Sequence, residues 1–320
     1  MQNKIFDLII LGAGPAGITA AVYAARKKID FLVISKDIGG QAAWSGDVEN
    51  YTGYQFVTGP ELVLKFQNHM DSFGIDLKMP EEIKAVTKNN NLITVATDKS
   101  EYITKAVVIA TGKKPKPLGV PGEEEFRNKG VNFCATCDGP LFRSKNVAVI
   151  GGGNSALDAV LQMMKISPKV YVINSAPFLT GDSVMMSKAI AASNVEIWNN
   201  SKVKKIYGEK FVKGIEVTKD NKTYNFNVEG VFVEIGLLPN SDFVYAPVSS
   251  DSGVIQNSAL IKLNELKEIV VDCYNRTNID GIFACGDVTN VPEKQIIIAC
   301  GEGAKASLAA FNYLSTHILP

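Results

Sequence analysis

Short, mainly apolar runs recur along the chain. They are Asp7-Leu8-Ile9-Ile10-Leu11, Phe31-Leu32-Val33-Ile34, Val107-Val108-Ile109-Ala110, Val147-Ala148-Val149-Ile150, Val170-Tyr171-Val172-Ile173, Val231-Phe232-Val233-Glu234-Ile235 and Gly281-Ile282-Phe283-Ala284. A run without apolar–polar alternation is the mark of a central parallel strand covered on both faces. Between the first two runs, small residues predict a helix ending near Ala25. A second helix is predicted from Leu157 to Met164, and a third opens at Lys294. Strands that alternate with helices predict an α/β fold built on parallel sheets.

The turns between these elements carry recognisable chemistry. Gly12-Ala13-Gly14-Pro15-Ala16-Gly17 joins the first strand to its helix. In a strand–GxGxxG–helix–strand unit, Gly12 permits the turn and Gly14 lets a pyrophosphate approach the backbone at the helix N-terminus. Gly17 lets the helix pack on the strand. An acid is expected after the second strand to hold a ribose hydroxyl. Ser35 and Lys36 stand there instead, and Asp37 is the nearest carboxylate. Gly151-Gly152-Gly153-Asn154-Ser155-Ala156 repeats the unit, with Gly151, Gly153 and Ala156 matching Gly12, Gly14 and Gly17 at one constant offset. The repeat predicts two dinucleotide-binding, Rossmann-like units, one for each of two cofactors. After the second strand of this copy, Asn174 to Thr180 supplies neither arginines for a 2′-phosphate nor an acid for a 2′-hydroxyl. That turn suits a pyrophosphate, with no support for NADPH selectivity.

Just ahead of the second copy lies Cys134-Ala135-Thr136-Cys137-Asp138-Gly139-Pro140. Two thiols two residues apart can close a disulfide ring across one helical turn. A thiolate at the start of such a turn is nucleophilic near neutral pH. Asp138 can give a proton to a leaving thiolate and take it back. The competing reading is half a zinc site, which needs a second ligand pair. Cys273, Cys285 and Cys300 form no second CxxC, and His69 and His317 lie far apart, so no metal is expected. Cys285 and Cys300 read as small buried fillers, and His69 as a surface residue of a helix.

Other residues suit a flat ligand. Gly39-Gly40-Gln41 and Glu49-Asn50-Tyr51 combine close backbone approach with amides, although taken alone they fit an ordinary loop equally well. Thr111-Gly112 ends a buried strand. Asp287 of Gly286-Asp287 can accept from a ribityl hydroxyl of a flavin. The helix opened by Lys294-Gln295-Ile296 can face the ring's carbonyl edge. Lys113-Lys114-Pro115-Lys116-Pro117 reads as a stiff, solvated linker.

Composition narrows the class. At 320 residues two domains are expected, and 46% hydrophobic content is ample for their cores. Lys+Arg and Asp+Glu are 33 each, which gives no electrostatic reason to expect nucleic acid or an anionic membrane as partner. Five cysteines with one CxxC suit a reducing, cytoplasmic setting. The apolar stretch Phe6 to Ala25 holds three glycines and a proline and has no basic leader, so strand, turn and helix explain it better than a signal peptide or span.

These motifs resemble the low-molecular-weight thioredoxin reductases over essentially the whole sequence, most specifically in CATCD just ahead of the second glycine turn. Val291-Pro292-x-Lys294-Gln295-Ile296-Ile297-Ile298-Ala299 and Gly301 to Ser307 look most like the flavoprotein subunit of alkyl hydroperoxide reductase, whose extra N-terminal thioredoxin-like region is not expected here. The resemblance implies a discontinuous FAD-binding domain from residues 1–115 and 244–320. It implies an inserted nicotinamide-type domain at 116–243 carrying the CxxC, and a homodimer. The FAD contacts it implies come from Gly12, Gly14, Pro15, Ala16, Gly17, Ser35, Lys36, Gly40, Gln41, Asn50, Thr111, Gly112, Gly286, Asp287, Lys294, Gln295 and Ile296. Gly151, Gly153, Asn154, Ser155 and Ala156 would hold the nicotinamide nucleotide. Cys137 would face the flavin, Cys134 would attack a thioredoxin-like partner's disulfide, and Asp138 would serve as acid. A large domain rotation is implied, because the dithiol cannot face flavin and partner at once. The departure is at Asn174 to Thr180, where the basic motif for NADPH is missing. Members without it take electrons from NADH or ferredoxin, or run as dithiol oxidases. A flavin redox sensor without turnover is the remaining alternative.

Overall fold

In the computed structural model, residues 4–45, 47–48, 50–245 and 261–317 are described. The chain divides into two units, Met1–Lys114 with Leu238–Pro320, and Pro115–Leu237. The second crossing, between Leu237 and Leu238, precedes the 243/244 boundary expected from sequence.

The first unit opens with β1 (Ile5–Ala13), α1 (Pro15–Arg26), β2 (Phe31–Ile38) and α2 (Gly59–Ser72). Strands β3 (Leu77–Lys78), β4 (Ile83–Asn89), β5 (Leu92–Thr97) and β6 (Glu101–Ile109) follow. Their sheet runs β3-β2-β1-β6-β5-β4. The unbroken apolar run of β1 has its reason in two cores. Leu8 and Ile10 pack with Val33, Val108 and the helices on one face, while Ile9 and Leu11 pack with Leu32, Ile34, Val107 and Ile109 on the other. All four β1 side chains are fully buried, each stabilising the fold by roughly 1.5–3 kcal/mol. Helix α2 starts at a capping box in which Thr58 accepts from the Glu61 N–H and Glu61 accepts from the Thr58 N–H. His69 is exposed on α2.

The second unit contains β7 (Val131–Asn132), α3 (Ala135–Asp138), β8 (Val147–Ile150), α4 (Asn154–Met163), β9 (Val170–Ile173), α5 (Ser183–Ala191) and β10 (Val195–Trp198). A three-stranded antiparallel sheet follows, β11 (Ser201–Gly208), β12 (Val212–Lys219) and β13 (Lys222–Phe226), and then β14 (Gly230–Val233). The main sheet runs β7-β14-β8-β9-β10, every pair parallel. Parallel pairing requires crossovers, and α4 supplies the one between β8 and β9.

The returning chain adds β15 (Ile282–Ala284) and α6 (Ile296–His317) to the first unit. β6 pairs with antiparallel β5 along its first half and with parallel β15 along its second. The ends of β1, β6 and β15 are thereby aligned, with the Ala110 N–H donating to Leu11 O and the Cys285 N–H to Ile109 O. Cys285 and Cys300 are free and buried, as small fillers of the core, and Cys273 is free and exposed. Among the described residues no helix is long and apolar enough to cross a membrane.

Candidate active site

In the first unit the glycine turn lies at the carboxyl end of β1. Gly12 takes φ +109°, and a Cβ there would meet Ala110 O at 2.4 Å. Only glycine fits both the backbone angle and that approach. Helix α1 begins after Gly14 with Pro15 in its first turn, no side-chain cap and no acid in that turn. A Cβ on Gly14 would have no atom within 4 Å, so open space lies in front of the helix start. That arrangement suits an anion.

The other candidates gather around this turn. A Cβ on Gly40 would lie 3.5 Å from Gly14 Cα, and one on Gly286 2.8 Å from Ala16 Cβ. Gln41 Nε2 donates to Asp287 at 3.4 Å, and Asn50 Nδ2 donates to Gln295 Oε1 at 3.0 Å. Thr111 Oγ1 donates to Asn240 O while Asn240 Nδ2 donates to Thr111 O, fixing the strand end before Gly112. Ile296 is the first residue of α6. Burial pushes the Asp287 carboxyl up from its ordinary range, partly offset by Lys294 and Lys113. Such a carboxyl gains from a hydroxyl donor. Glu49 lies outside the described residues.

Two residues behave differently from expectation. The Ser35 hydroxyl is buried and used internally, accepting from the Ala13 N–H and donating to Asp37 O, so it ties the two strand-end turns together. Lys36 and Asp37 are exposed beside it. Lys113 is no part of a solvated linker. It is buried and pairs with Glu268 at 2.5 Å, while Lys294 approaches the same carboxylate at 3.4 Å. Burial would raise Glu268, but hydrogen bonds from Lys113 and Asn264 together with the Lys294 charge hold it below its ordinary value. Lys294 also donates to Thr289 O and Val291 O, and burial lowers its own pKa.

In the second unit the glycine turn follows β8. Gly151 takes φ +137°, a Cβ there would meet Glu234 O at 2.3 Å, and the position packs against Ala156. Helix α4 begins after Gly153 with no side-chain cap and no first-turn acid, and open space faces Gly153. Asn154 and Ser155 lie exposed at the helix start. The following segment folds back over this turn. The Thr180 N–H donates to Gly152 O at 2.8 Å and the Asp182 N–H to Asn154 Oδ1 at 2.7 Å. Asn174, where a ribose reader is expected, is 4% exposed. Its amide donates to Ala176 O, Phe178 O and Asn199 Oδ1, and its oxygen accepts from the Ala176 N–H.

Cys134 is half-buried and disulfide-bonded. It precedes the single turn of α3, closed by the Asp138 N–H donating to Cys134 O at 3.0 Å. The side chain of Cys137 lies outside the described residues. Beside α3 stands Glu234, the residue after β14, which sequence reading passed over; the signal was a lone acid ending an apolar strand. Its carboxylate accepts the Ala135 N–H, while burial pushes it up to about 8. Among the described residues no group of three or more His, Cys, Asp or Glu side chains is arranged to hold a metal ion.

Residues 6–303 match the pyridine nucleotide-disulphide oxidoreductase family. The chain belongs to that family. It is 39% identical over 317 residues to the alkyl hydroperoxide reductase F protein of Staphylococcus aureus, covering 98% of this chain and 60% of that protein. It is 37% identical over 318 residues to an NADH dehydrogenase of Ferdinandcohnia aciditolerans, covering 98% and 59%. The chain thus spans about three fifths of the length of these relatives. Among solved structures, thioredoxin reductase from Streptococcus pyogenes is similar with a TM-score of 0.85 and 33% identity, covering 98% of this chain and all of that one. Membership in this family implies FAD and a nicotinamide nucleotide as cofactors. The residues fit both groups in part. The uncapped start of α1, the open space at Gly14 and the raised Asp287 suit a flavin dinucleotide, and the uncapped start of α4 suits a second pyrophosphate. At the ribose-reading position the hydrogens of the Asn174 amide are already engaged by Ala176, Phe178 and Asn199.

Proposed function

We propose that this protein is an FAD-dependent disulfide oxidoreductase of thioredoxin reductase type. It takes electrons from a nicotinamide nucleotide and delivers them through the Cys134–Cys137 dithiol to the disulfide of a thioredoxin-like protein. The observation that carries the reading is the disulfide-bonded Cys134 at the start of a one-turn helix, within a unit that also holds an uncapped glycine turn. Bound FAD would supply the two-electron exchange between nucleotide and dithiol. Gly12, Gly14 and Gly17 would admit its pyrophosphate and Asp287 would accept a ribityl hydroxyl. Pro15, Ala16, Gly40, Gln41, Asn50, Thr111, Gly112, Lys294, Gln295 and Ile296 would surround the remainder. Ser35 would act indirectly, by holding the Ala13 turn. The Cys134 thiolate would attack the partner disulfide, Cys137 would resolve the mixed disulfide, and Asp138 would move the proton. The 1–115/244–320 and 116–243 division into FAD and nicotinamide domains, the homodimer and the cytoplasmic location rest on the resemblance and on the cysteine usage.

The test is anaerobic reduction of a thioredoxin disulfide with NADH, NADPH and reduced ferredoxin as separate donors, and failure with all three would overturn the reading. A ferredoxin-type protein donor is the second reading, favoured by the closed Asn174 position. Among nucleotides, little discrimination is expected. Arginine contacts to a 2′-phosphate are worth roughly 1.5–3 kcal/mol each, and no arginine lies in the 174–182 segment. The ratio of kcat/KM for NADPH over NADH should stay within about tenfold, a gap of about 1.4 kcal/mol. A hundredfold preference for NADPH would show that cations from elsewhere, such as Lys202 or Lys204, reach the nucleotide.

A further inference from the structure

The Cys134–Ala135 peptide is held on both sides. Its carbonyl accepts the Asp138 N–H at 3.0 Å, and its N–H donates to the Glu234 carboxylate. Glu234 follows β14, at the carboxyl end of the parallel sheet, where its own carbonyl also borders Gly151. The charged group facing it is Asp158 of α4, which raises it further. The anchored peptide is the one that follows the Cys134 sulfur directly in the chain. A carboxyl in this place has no part in the scheme above.

We infer that Glu234 is a proton-linked positioning residue for the dithiol, anchoring the Cys134–Ala135 peptide and setting by its charge how readily the Cys134 disulfide is reduced. The inference rests on the proposed role of that disulfide. Reduction by a dithiol such as dithiothreitol breaks one S–S bond in the protein and forms one in the reductant, with two electrons passing to the two protein sulfurs. Whatever protons those sulfurs do not retain appear as thiolate charge. An ionised Glu234 disfavours that charge, and a protonated Glu234 does not. Burial places the titration of the disulfide form near pH 8. A thiolate nearby raises it further, so reduction above that pH draws a proton onto Glu234.

The sign follows. Well below pH 8 the carboxyl is neutral, and Glu234→Gln should change nothing, since the amide oxygen still accepts the Ala135 N–H. Above pH 8 the wild type should become harder to reduce than the variant, by about tenfold at pH 9.5, the scale of a like-charge interaction near a protein surface. The experiment equilibrates the full FAD-loaded protein anaerobically in dithiothreitol redox buffers from pH 6 to 10. The reduced fraction of Cys134 is read by alkylation and mass spectrometry, corrected for the reductant's own ionisation. Glu234→Gln and Glu234→Ala should share one pH profile even if their absolute constants differ, because both lack the charge. In the wild type alone, the slope of log K against pH should steepen above about pH 8, so a poorly folding variant leaves the test intact. Parallel profiles for wild type and Glu234→Gln, or an unbroken wild-type slope, would overturn the inference. If Cys134 of the folded wild type instead stays oxidised in every buffer, the dithiol role itself fails.

Discussion

Cys134→Ser and Cys137→Ser should each lower reduction of a thioredoxin disulfide by about a thousandfold or more, on the order of 4 kcal/mol of barrier. Without either sulfur the protein cannot carry two electrons as this dithiol, and the remaining cysteines, Cys273, Cys285 and Cys300, are single thiols outside any CxxC. Cys285 and Cys300 are buried, and burial raises both thiols away from the reactive thiolate. The variants should differ in what they trap. With Cys137→Ser, Cys134 can still attack the partner but nothing resolves the product, so a mixed disulfide should accumulate, visible as a shifted band on a non-reducing gel. With Cys134→Ser that adduct should be missing. The opposite pattern would exchange the two roles, and full turnover in either variant would remove the dithiol from the electron path.

Gly14→Val should weaken FAD binding at least a hundredfold, about 3 kcal/mol, while leaving the fold intact. Gly14 has φ −79° and ψ −177°, open to any residue, and a Cβ there meets no protein atom within 4 Å. The added side chain would therefore fill the space at the uncapped start of α1 rather than collide with the chain. Gly17→Val makes the contrast, because a Cβ there would sit 1.9 Å from Gly12 O and force α1 off β1. Its apoprotein should melt far below the wild type, whereas the Gly14→Val apoprotein should melt close to it. Thermal melts of the two apoproteins with a fluorescence titration of FAD check both statements. Unchanged affinity in Gly14→Val would show that this turn does not receive the cofactor.

The weak donor discrimination expected at Asn174 and the redox effect expected at Glu234 both concern the second unit, and they are independent. One depends on an amide whose hydrogens are engaged beside the glycine turn, the other on a carboxyl beside α3. Replacing Asn174 should alter nucleotide kinetics without changing the pH profile of Cys134 reduction.

Much of the architecture was legible from local pattern. The four fully buried residues of β1 form an unbroken apolar run because both faces of that strand are covered, and periodicity reports this directly. The glycine turns were legible because Gly12, Gly17 and Gly151 meet backbone atoms that exclude any Cβ. The helical turn at the CxxC was legible because one helical turn is a local geometry. The states of the polar groups depended on partners distant in sequence. Lys113, in a basic, proline-rich stretch, is buried because Glu268 arrives from the far end of the chain. Ser35 is taken up by the turn after another strand, and Asn174 by Asn199 and its own loop. Glu234 resembles an ordinary strand-end acid until α3 is laid against it. Apolar periodicity records whether a strand is covered, whatever covers it. The charge and hydrogen bonding of a buried polar group depend on which atoms lie within a few ångströms, and only the tertiary structure decides that.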